Sequence, residues 1–266
     1  MKRVRRIAGD IIIICLIGIL AVSGYNIYEK RQEYRKAKKV YEEIPSKDFE
    51  KLAEINPDVV AWLEYKPMDI DYPVVQGKDN ELYLNMMFDG TWGGTGCPFV
   101  DYVCEDPFKQ FNTIIYGHHM YDGSVFAKFS RLKEISYAEE NPKFTLYLPD
   151  EVYDLEIWAF MNAPANSDVY YTNIPDEDKA DYIKSVKDEA IYTIGDVTTE
   201  DRLVVLSTCA YEFKNARYVV ICKMVKVPPK EITVEPEPTR IEKIRDAVKD
   251  KWEDIKDSVK EVTRRG

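Results

Sequence analysis

Arg202-Leu203-Val204-Val205-Leu206-Ser207-Thr208-Cys209, followed closely by Asn215-Ala216-Arg217-Tyr218-Val219-Val220, is the stretch around which the chain is organised. Leu203 to Leu206 is a short apolar run rich in β-branched residues, the pattern of a buried strand. It ends in two hydroxyl residues and a cysteine, so the thiol falls where strand gives way to loop, a place where scaffolds display reactive groups. Arg217 opens a second strand-like run, Tyr218 to Val227, a short loop later. Two adjacent strands would hold a thiol and a guanidinium near one another.

A thiol attacks only as thiolate, and free cysteine titrates near ~8.5, so a nucleophilic Cys209 needs a base. The chain has 2 histidines, the adjacent pair in Tyr116-Gly117-His118-His119-Met120. Any cysteine–histidine chemistry must therefore use one of them. Neighbours on an extended segment point to opposite sides, so the two would not share a site.

Length and composition narrow the field. With 266 residues, one domain with extensions is expected. A net charge of −10 argues against a nucleic-acid partner. The 5 cysteines fit neither a disulfide framework nor a zinc signature, and two adjacent histidines without neighbouring carboxylates or thiols make a poor metal site. Cys97 and Cys104 are read as free thiols; Cys15 and Cys222 lie in apolar runs and are read as buried.

At the N-terminus, Lys2, Arg3, Arg5 and Arg6 precede an apolar run from Ile7 to about Val22, short for a spanning helix unless Gly24 to Tyr28 extend it to the interface. The basic flank would keep that end in the cytoplasm and send the remainder outside. Ala21-Val22-Ser23 also fits a signal-peptide cleavage site, so the residues leave anchor and cleaved leader both open. Glu29 to Glu43 is charged and proline-free, a solvated helix. Ser46-Lys47-Asp48-Phe49 has a capping-type start, with Phe49, Leu52, Ala53 and Ile55 on one face before Asn56-Pro57.

Strand-like runs follow at Val59–Tyr65, Tyr72–Gln76, Pro98–Val103, Asn112–Tyr116, Lys143–Leu148, Val152–Met161, Arg202–Thr208 and Tyr218–Val227. Short runs separated by turn residues favour a closed barrel over a parallel α/β sheet. Asp79 to Met87 reads as a helical insertion packed through Leu82, Leu84 and Met86. A longer insertion, Asn162 to Asp201, starts a helix at Pro175-Asp176-Glu177-Asp178 and carries it to about Ala190. The division expected is 1–28 basic tip and anchor, 29–57 helical segment, 58–227 barrel, 228–239 proline-rich linker and 240–266 tail. In the tail Ile241, Ile244, Val248, Trp252, Ile255, Val259 and Val262 recur at helical spacing, an amphipathic helix.

The ordered trio Tyr116-Gly117-His118-His119-Met120, Ser207-Thr208-Cys209 and Asn215-Ala216-Arg217, with a membrane anchor upstream, resembles the His, Cys and Arg motifs of the sortases, class B in particular. The resemblance covers roughly residues 45 to 227. It implies a mainly β fold with added helices: an eight-stranded sortase-type barrel, N-terminal helices and a helix-containing insertion before the cysteine strand. It implies an uncleaved anchor and an extracellular catalytic domain at a Gram-positive-type cell surface, needing no cofactor. By motif position it assigns Cys209 as nucleophile, His118, directly after the glycine, as general acid and base, and Arg217 as oxyanion stabiliser. Ser207 and Thr208 are supporting candidates. The insertion would wall the peptide groove, making Tyr170, Tyr171, Thr172, Asn173 and Ile174 candidate substrate contacts.

The activity implied is a cysteine transpeptidase that cleaves a sorting signal similar to Asn-Pro-x-Thr-Asn or Pro-x-Thr-Gly after threonine. It would pass the acyl group from a thioester to a cell-wall precursor amine. Three rivals remain: a pilin-polymerising sortase with a lysine acceptor, a surface module that binds peptide without cleaving it, and a scaffold protein acting through its C-terminal helix. Papain-like enzymes place the cysteine before the histidine and fit less well.

Overall fold

The computed structural model describes the backbone of residues 2–228, with side chains from residue 13 onward. Nine strands run in the order of the chain: β1 Val59–Tyr65, β2 Ile70–Val75, β3 Phe99–Val100, β4 Asn112–Tyr116, β5 Lys143–Tyr147, β6 Val152–Pro164, β7 Tyr192–Thr193, β8 Leu203–Cys209 and β9 Ala216–Lys226. They form one sheet in the order β5-β1-β2-β3-β4-β8-β9-β6-β7, and β5 also pairs with β6. That last pairing joins the two sides, so eight strands close into a barrel. The remaining strand, β7, is a two-residue addition on the middle of β6. Most ladders are antiparallel; β2–β3 and β4–β8 are parallel.

The barrel matches the eight runs of the sequence. The ninth strand is too short to leave a periodic signal, since two residues cannot display a period of two.

β8 explains why its sequence reads as a continuous apolar run. Val204 and Leu206 point into the barrel interior beside Leu63, Ile115 and Phe126. Leu203 and Val205 point outward beneath the insertion, against Val169, Tyr182, Ile183 and Val186. A strand covered on both faces has no polar face to alternate with. Each of these four side chains is essentially inaccessible to solvent, and burying such a group stabilises by about 1.5–3 kcal/mol. The insertion itself is a single-turn 3-10 helix at Asp168–Tyr170, another at Asp176–Asp178, and a helix over Lys179–Glu189 that ends at Ala190, where the sequence places it.

The helical expectations need more revision. Helix α1 runs unbroken from Lys2 to Glu43. Its last turns are not solvated: Ala37 is buried, and Tyr34, Val40 and Tyr41 pack against the barrel. The charges are long side chains that leave a narrow apolar stripe free to dock. Helix α2, Phe49–Ile55, is capped by Asp48, whose carboxylate accepts from the Lys51 amide, but buries only Leu52 fully. Ala53 and Ile55 stay exposed.

Between Asp79 and Met87 the helix is a single turn, α3 (Leu82–Asn85). Tyr83 and Met87 are the residues buried there, and Leu84 is exposed. Tyr83 is held by Asn56 and Asp58, which turns the face expected from Leu82, Leu84 and Met86. A 3-10 helix at Ala127–Lys133 and helix α4 (Ile135–Glu140) cap the barrel without a prior signal in the sequence. The proline-rich linker and amphipathic tail beyond Pro228 lie outside the described residues.

All five cysteines are free. Cys97, Cys104 and Cys222 are buried, and burial raises each thiol, Cys104 to about 11. Cys15, expected to be buried, lies on the exposed surface of α1.

Candidate active site

The site is assembled by two ladders that share β8. On one side β4 runs parallel to it, ending with Tyr116 opposite Ser207, and the Gly117 amide donates to the Ser207 carbonyl at 3.0 Å. Two residues beyond these partners are His118 and Cys209, so both chains leave the sheet side by side. On the other side β9 runs antiparallel, placing Cys209 directly opposite Arg217. The hairpin between them is closed by Ala210 N–H to the Ala216 carbonyl, 2.9 Å, with Asn215 in the left-handed region at φ 61°.

The pleat then sorts the residues by face. Leu203, Val205, Ser207 and Cys209 on β8 share one side with Arg217, Val219 and Ile221 on β9 and with Ile114 and Tyr116 on β4. This is the face the insertion covers, and the cover stops at Tyr170. The Tyr170 hydroxyl hydrogen-bonds Ser207 Oγ at 2.9 Å, and its ring stacks on Tyr116 with centroids 6.1 Å apart. Burial raises the Tyr170 hydroxyl, while the Ser207 bond and the charge on Arg217 pull the other way; Cys209 also acts on it. Tyr170, Ser207, Cys209 and Arg217 therefore occupy one neighbourhood at the end of β8. The Arg217 guanidinium is half-buried, donates to the Ala216 carbonyl at 3.0 Å and forms no ion pair among the described residues.

The remaining candidates fall differently. Thr208 is buried on the barrel-interior side, opposite Tyr218, and its hydroxyl has no partner among the described residues. Asn112 Nδ2 donates to the Tyr171 carbonyl at 2.7 Å and Gln110 Nε2 to the Thr172 carbonyl, so these residues are fastened to β4 by their backbones. The Thr172 side chain is buried, that of Ile174 is partly buried against the insertion core, and Tyr171 and Asn173 are exposed. Of the five insertion candidates, only Tyr170 reaches the cysteine's neighbourhood by a bond of its own side chain.

The two histidines diverge as their adjacency requires. His118 Nε2 lies 2.6 Å from the Leu84 carbonyl. A carbonyl only accepts, so Nε2 carries the proton of this bond, and the neutral ring keeps Nδ1 bare as an acceptor. His119 turns to the other side, edge-on to Tyr211 at 5.2 Å and tilted over Tyr218 at 6.2 Å. Its Nδ1 lies 2.8 Å from the carbonyl oxygen of Cys209 itself. Sequence reasoning separates His119 from the thiol but does not anticipate this bond, because a backbone acceptor leaves no trace in residue identity.

A further feature is equally silent in sequence. Gly96, at φ 56°, sits so close that a Cβ on it would lie 2.8 Å from the Leu84 oxygen and 3.1 Å from His118 Cδ2. Among the described residues no group of three or more His, Cys, Asp or Glu side chains converges to hold a metal.

A half-buried cysteine opposite an arginine across one ladder, with a histidine leaving the parallel neighbour, brings into one region the residue types that cysteine acyl transfer uses. Comparison with known proteins agrees. Residues 63–225 match the model of the sortase domain. Sortase B of Listeria monocytogenes is 31% identical over 245 residues, 84% of this chain and 99% of the relative. Sortase B of Staphylococcus aureus is 29% identical over 235 residues, 82% and 96%. The structure of a Staphylococcus aureus sortase B–substrate complex superposes with a TM-score of 0.64 at 27% identity, over 76% of this chain and 95% of that one. Clostridium perfringens sortase B gives 0.61 at 31%, over 67% and 100%. The chain belongs to the sortase family, in its class B branch. Its activity is that of a cysteine transpeptidase acting on sorting-signal substrates with an amine as acceptor.

Proposed function

We propose that Cys209 is the nucleophile, His118 the general acid and base, and Arg217 the oxyanion stabiliser of a class B transpeptidase that cleaves its sorting signal after threonine. The signal is similar to Asn-Pro-x-Thr-Asn or Pro-x-Thr-Gly, and the acceptor is an amine of a cell-wall precursor. The observation that carries this reading is the pairing of Cys209 with Arg217 across β8 and β9, beside the strand that delivers His118.

The chemistry follows from those positions. The Cys209 thiol gives its proton to His118, and the resulting thiolate adds to the threonine carbonyl carbon, forming a C–S bond as the carbonyl electrons move to oxygen. Arg217, with donors not engaged by a carboxylate, faces the region where that negative charge develops. As the C–N bond breaks, His118 gives its proton to the departing amine, leaving a thioester. The incoming amine attacks the thioester, gives a proton to His118, and the C–S bond breaks to return the thiolate. Ser207, held by Tyr170, supports the groove wall; Thr208 faces the barrel interior and contributes only to how the strand ends.

The N-terminal helix fits an uncleaved anchor. From Ile13 it carries an 18-residue window of mean hydropathy 1.3, none of it buried within the protein. With the basic tip inside, the barrel is extracellular at the cell membrane. Surface proteins that bear the signal are the partners on this reading. Residues 1–28 then form tip and anchor, 29–57 the helical connection and 58–227 the catalytic barrel, followed by linker and tail.

Intact mass spectrometry after mixing the protein with a panel of sorting-signal peptides tests this reading. An adduct on Cys209 ending in threonine is expected, absent from Cys209→Ala and His118→Ala. Supplying a glycine-peptide amine or a lysine side-chain amine then shows which acceptor resolves it. Binding without any adduct across the panel would refute the assignment of Cys209.

A further inference from the structure

Helix α1 does more than tether the barrel. Its last three turns grip the loop that packs against His118. The Glu33 carboxylate accepts from the Gly94 amide at 2.6 Å, and Lys30 holds the same carboxylate at 2.9 Å. These two bonds, that from Lys30 first, keep the Glu33 carboxyl below its ordinary range. Two turns further on, the Tyr41 hydroxyl donates to the Gly96 carbonyl at 2.6 Å, its ring set edge-on to Tyr72 at 5.0 Å. Tyr41 is thus fixed by packing as well as by its bond.

The gripped loop is short and has little slack. Gly93 N–H donates to the Asn85 carbonyl at 2.7 Å and Cys97 N–H to the Tyr83 carbonyl at 3.0 Å. The loop therefore clasps the one-turn helix α3, whose Leu84 carbonyl receives His118 Nε2. Gly96 lies at the centre, close enough that a Cβ on it would meet the Leu84 carbonyl and the histidine ring at once. No side chain fills that space, so a displacement of the loop passes directly to Leu84 and the imidazole.

We propose that the juxtamembrane end of α1 is a positioning element of the active site: Glu33 and Tyr41 set the orientation of His118 through the Gly93–Gly96 loop and the Leu84 carbonyl. Neither residue touches the reacting atoms. The inference rests on His118 serving as the acid and base. It makes the membrane-proximal helix part of the catalytic unit.

The test uses the full chain in detergent micelles. Alkylation of Cys209 by iodoacetamide is followed by peptide mapping, since this small probe reports thiol activation without needing the peptide groove. Thioester formation with the peptide that gives the adduct, peptide affinity and the thermal midpoint are measured alongside.

Tyr41→Phe and Glu33→Ala should slow alkylation and thioester formation by about three- to tenfold each, the loss expected for one hydrogen bond. Peptide affinity should stay within about twofold, and Glu33→Gln, which keeps an acceptor for Gly94, should recover most of the rate. Lys38→Ala, on the solvent side of the same helix, should match wild type. Mere loosening of the fold would speed alkylation of a half-buried thiol, so slower alkylation separates positioning from destabilisation. Folded variants that react as fast as wild type, or faster, would overturn the proposal. If His118→Ala itself left both rates unchanged, the reading of His118 would fail and this inference with it; a slow His118→Ala beside normal Tyr41→Phe and Glu33→Ala would sink the coupling alone.

Discussion

Three glycines in one loop give a prediction that separates backbone conformation from collision. Gly96 has φ 56°, and a Cβ there would stand 2.5 Å from the Tyr83 carbonyl oxygen, 2.8 Å from that of Leu84 and 3.1 Å from His118 Cδ2. Gly90 also has a positive φ, 79°, but open space around it. Gly94 has ordinary φ, with only the Glu33 carboxylate in the way at 2.8 Å. An L-residue in the left-handed region costs roughly 1–2 kcal/mol. Forcing a methyl group against packed atoms adds roughly 1–3 kcal/mol, and here two of the obstacles are backbone carbonyls that cannot swing aside. Gly96→Ala should therefore destabilise by about 3 kcal/mol, Gly90→Ala by about 1 kcal/mol, and Gly94→Ala by less than about 1 kcal/mol as Glu33 gives way. In thermal terms that is a fall of about 6–12 °C for Gly96→Ala against a few degrees for the others. Calorimetry of the three variants, with Cys209 alkylation on the same samples, reads both consequences, because Gly96→Ala must also push the His118 ring. A Gly96→Ala protein no less stable than Gly90→Ala would refute the close approach of loop, Leu84 and histidine.

The hairpin behind the cysteine is tied down by Glu212, which binds Lys133 and the Tyr218 hydroxyl; its burial alone would raise the carboxyl, but these partners bring it to about 2. Its stabilisation is complete above the ordinary 4.5 and drains away as pH falls through 2, so Glu212→Gln should cost about 1 kcal/mol at pH 7, after solvent screening, and only a small fraction of that near pH 2, as read by urea unfolding at both pH values. Asn112→Ala unfastens the insertion from β4, where Nδ2 serves the Tyr171 carbonyl and the Tyr182 hydroxyl; a loss of about 2 kcal/mol and weaker peptide binding are expected, by thermal unfolding and by titration calorimetry. Iodoacetamide mapping of the native barrel should modify Cys209 and spare Cys97, Cys104 and Cys222, whose thiols are buried and raised; comparable labelling of Cys222 would contradict its place inside the barrel.

What was legible in the sequence is what residue type and period can encode. The run Leu203 to Leu206 declares a strand covered on both faces because both faces are in fact covered, one by the barrel and one by the insertion. The placement of Cys209 near Arg217 was readable because a short hairpin loop leaves antiparallel partners opposite each other. Asp48 and the helix ending at Ala190 carried recognisable boundary chemistry. The docking of α1 was not readable: three or four small or aromatic residues among many charges resemble a solvated helix until a barrel offers them a surface. Helix α3 misled for the opposite reason. Leu82, Leu84 and Met86 alternate as apolar residues, but the Asn56–Tyr83 bond turns Tyr83 inward and leaves Leu84 exposed.

The least legible features are those built from backbone. Leu84 matters to His118 through a carbonyl that any residue would supply, and Cys209 is held by His119 through a carbonyl as well. These two bonds give the adjacent histidines complementary tasks. His118 joins the Leu84 carbonyl of α3, whereas His119 stands over Tyr218 and grips the main chain behind the thiol. Pairing them in sequence thus ties both α3 and the cysteine's main chain to the end of β4. A single histidine could not do so, because a strand presents each side chain to only one side of the sheet. The doublet follows from the geometry of a site built at the end of a parallel strand pair, where β4 leaves the sheet beside the strand that carries Cys209.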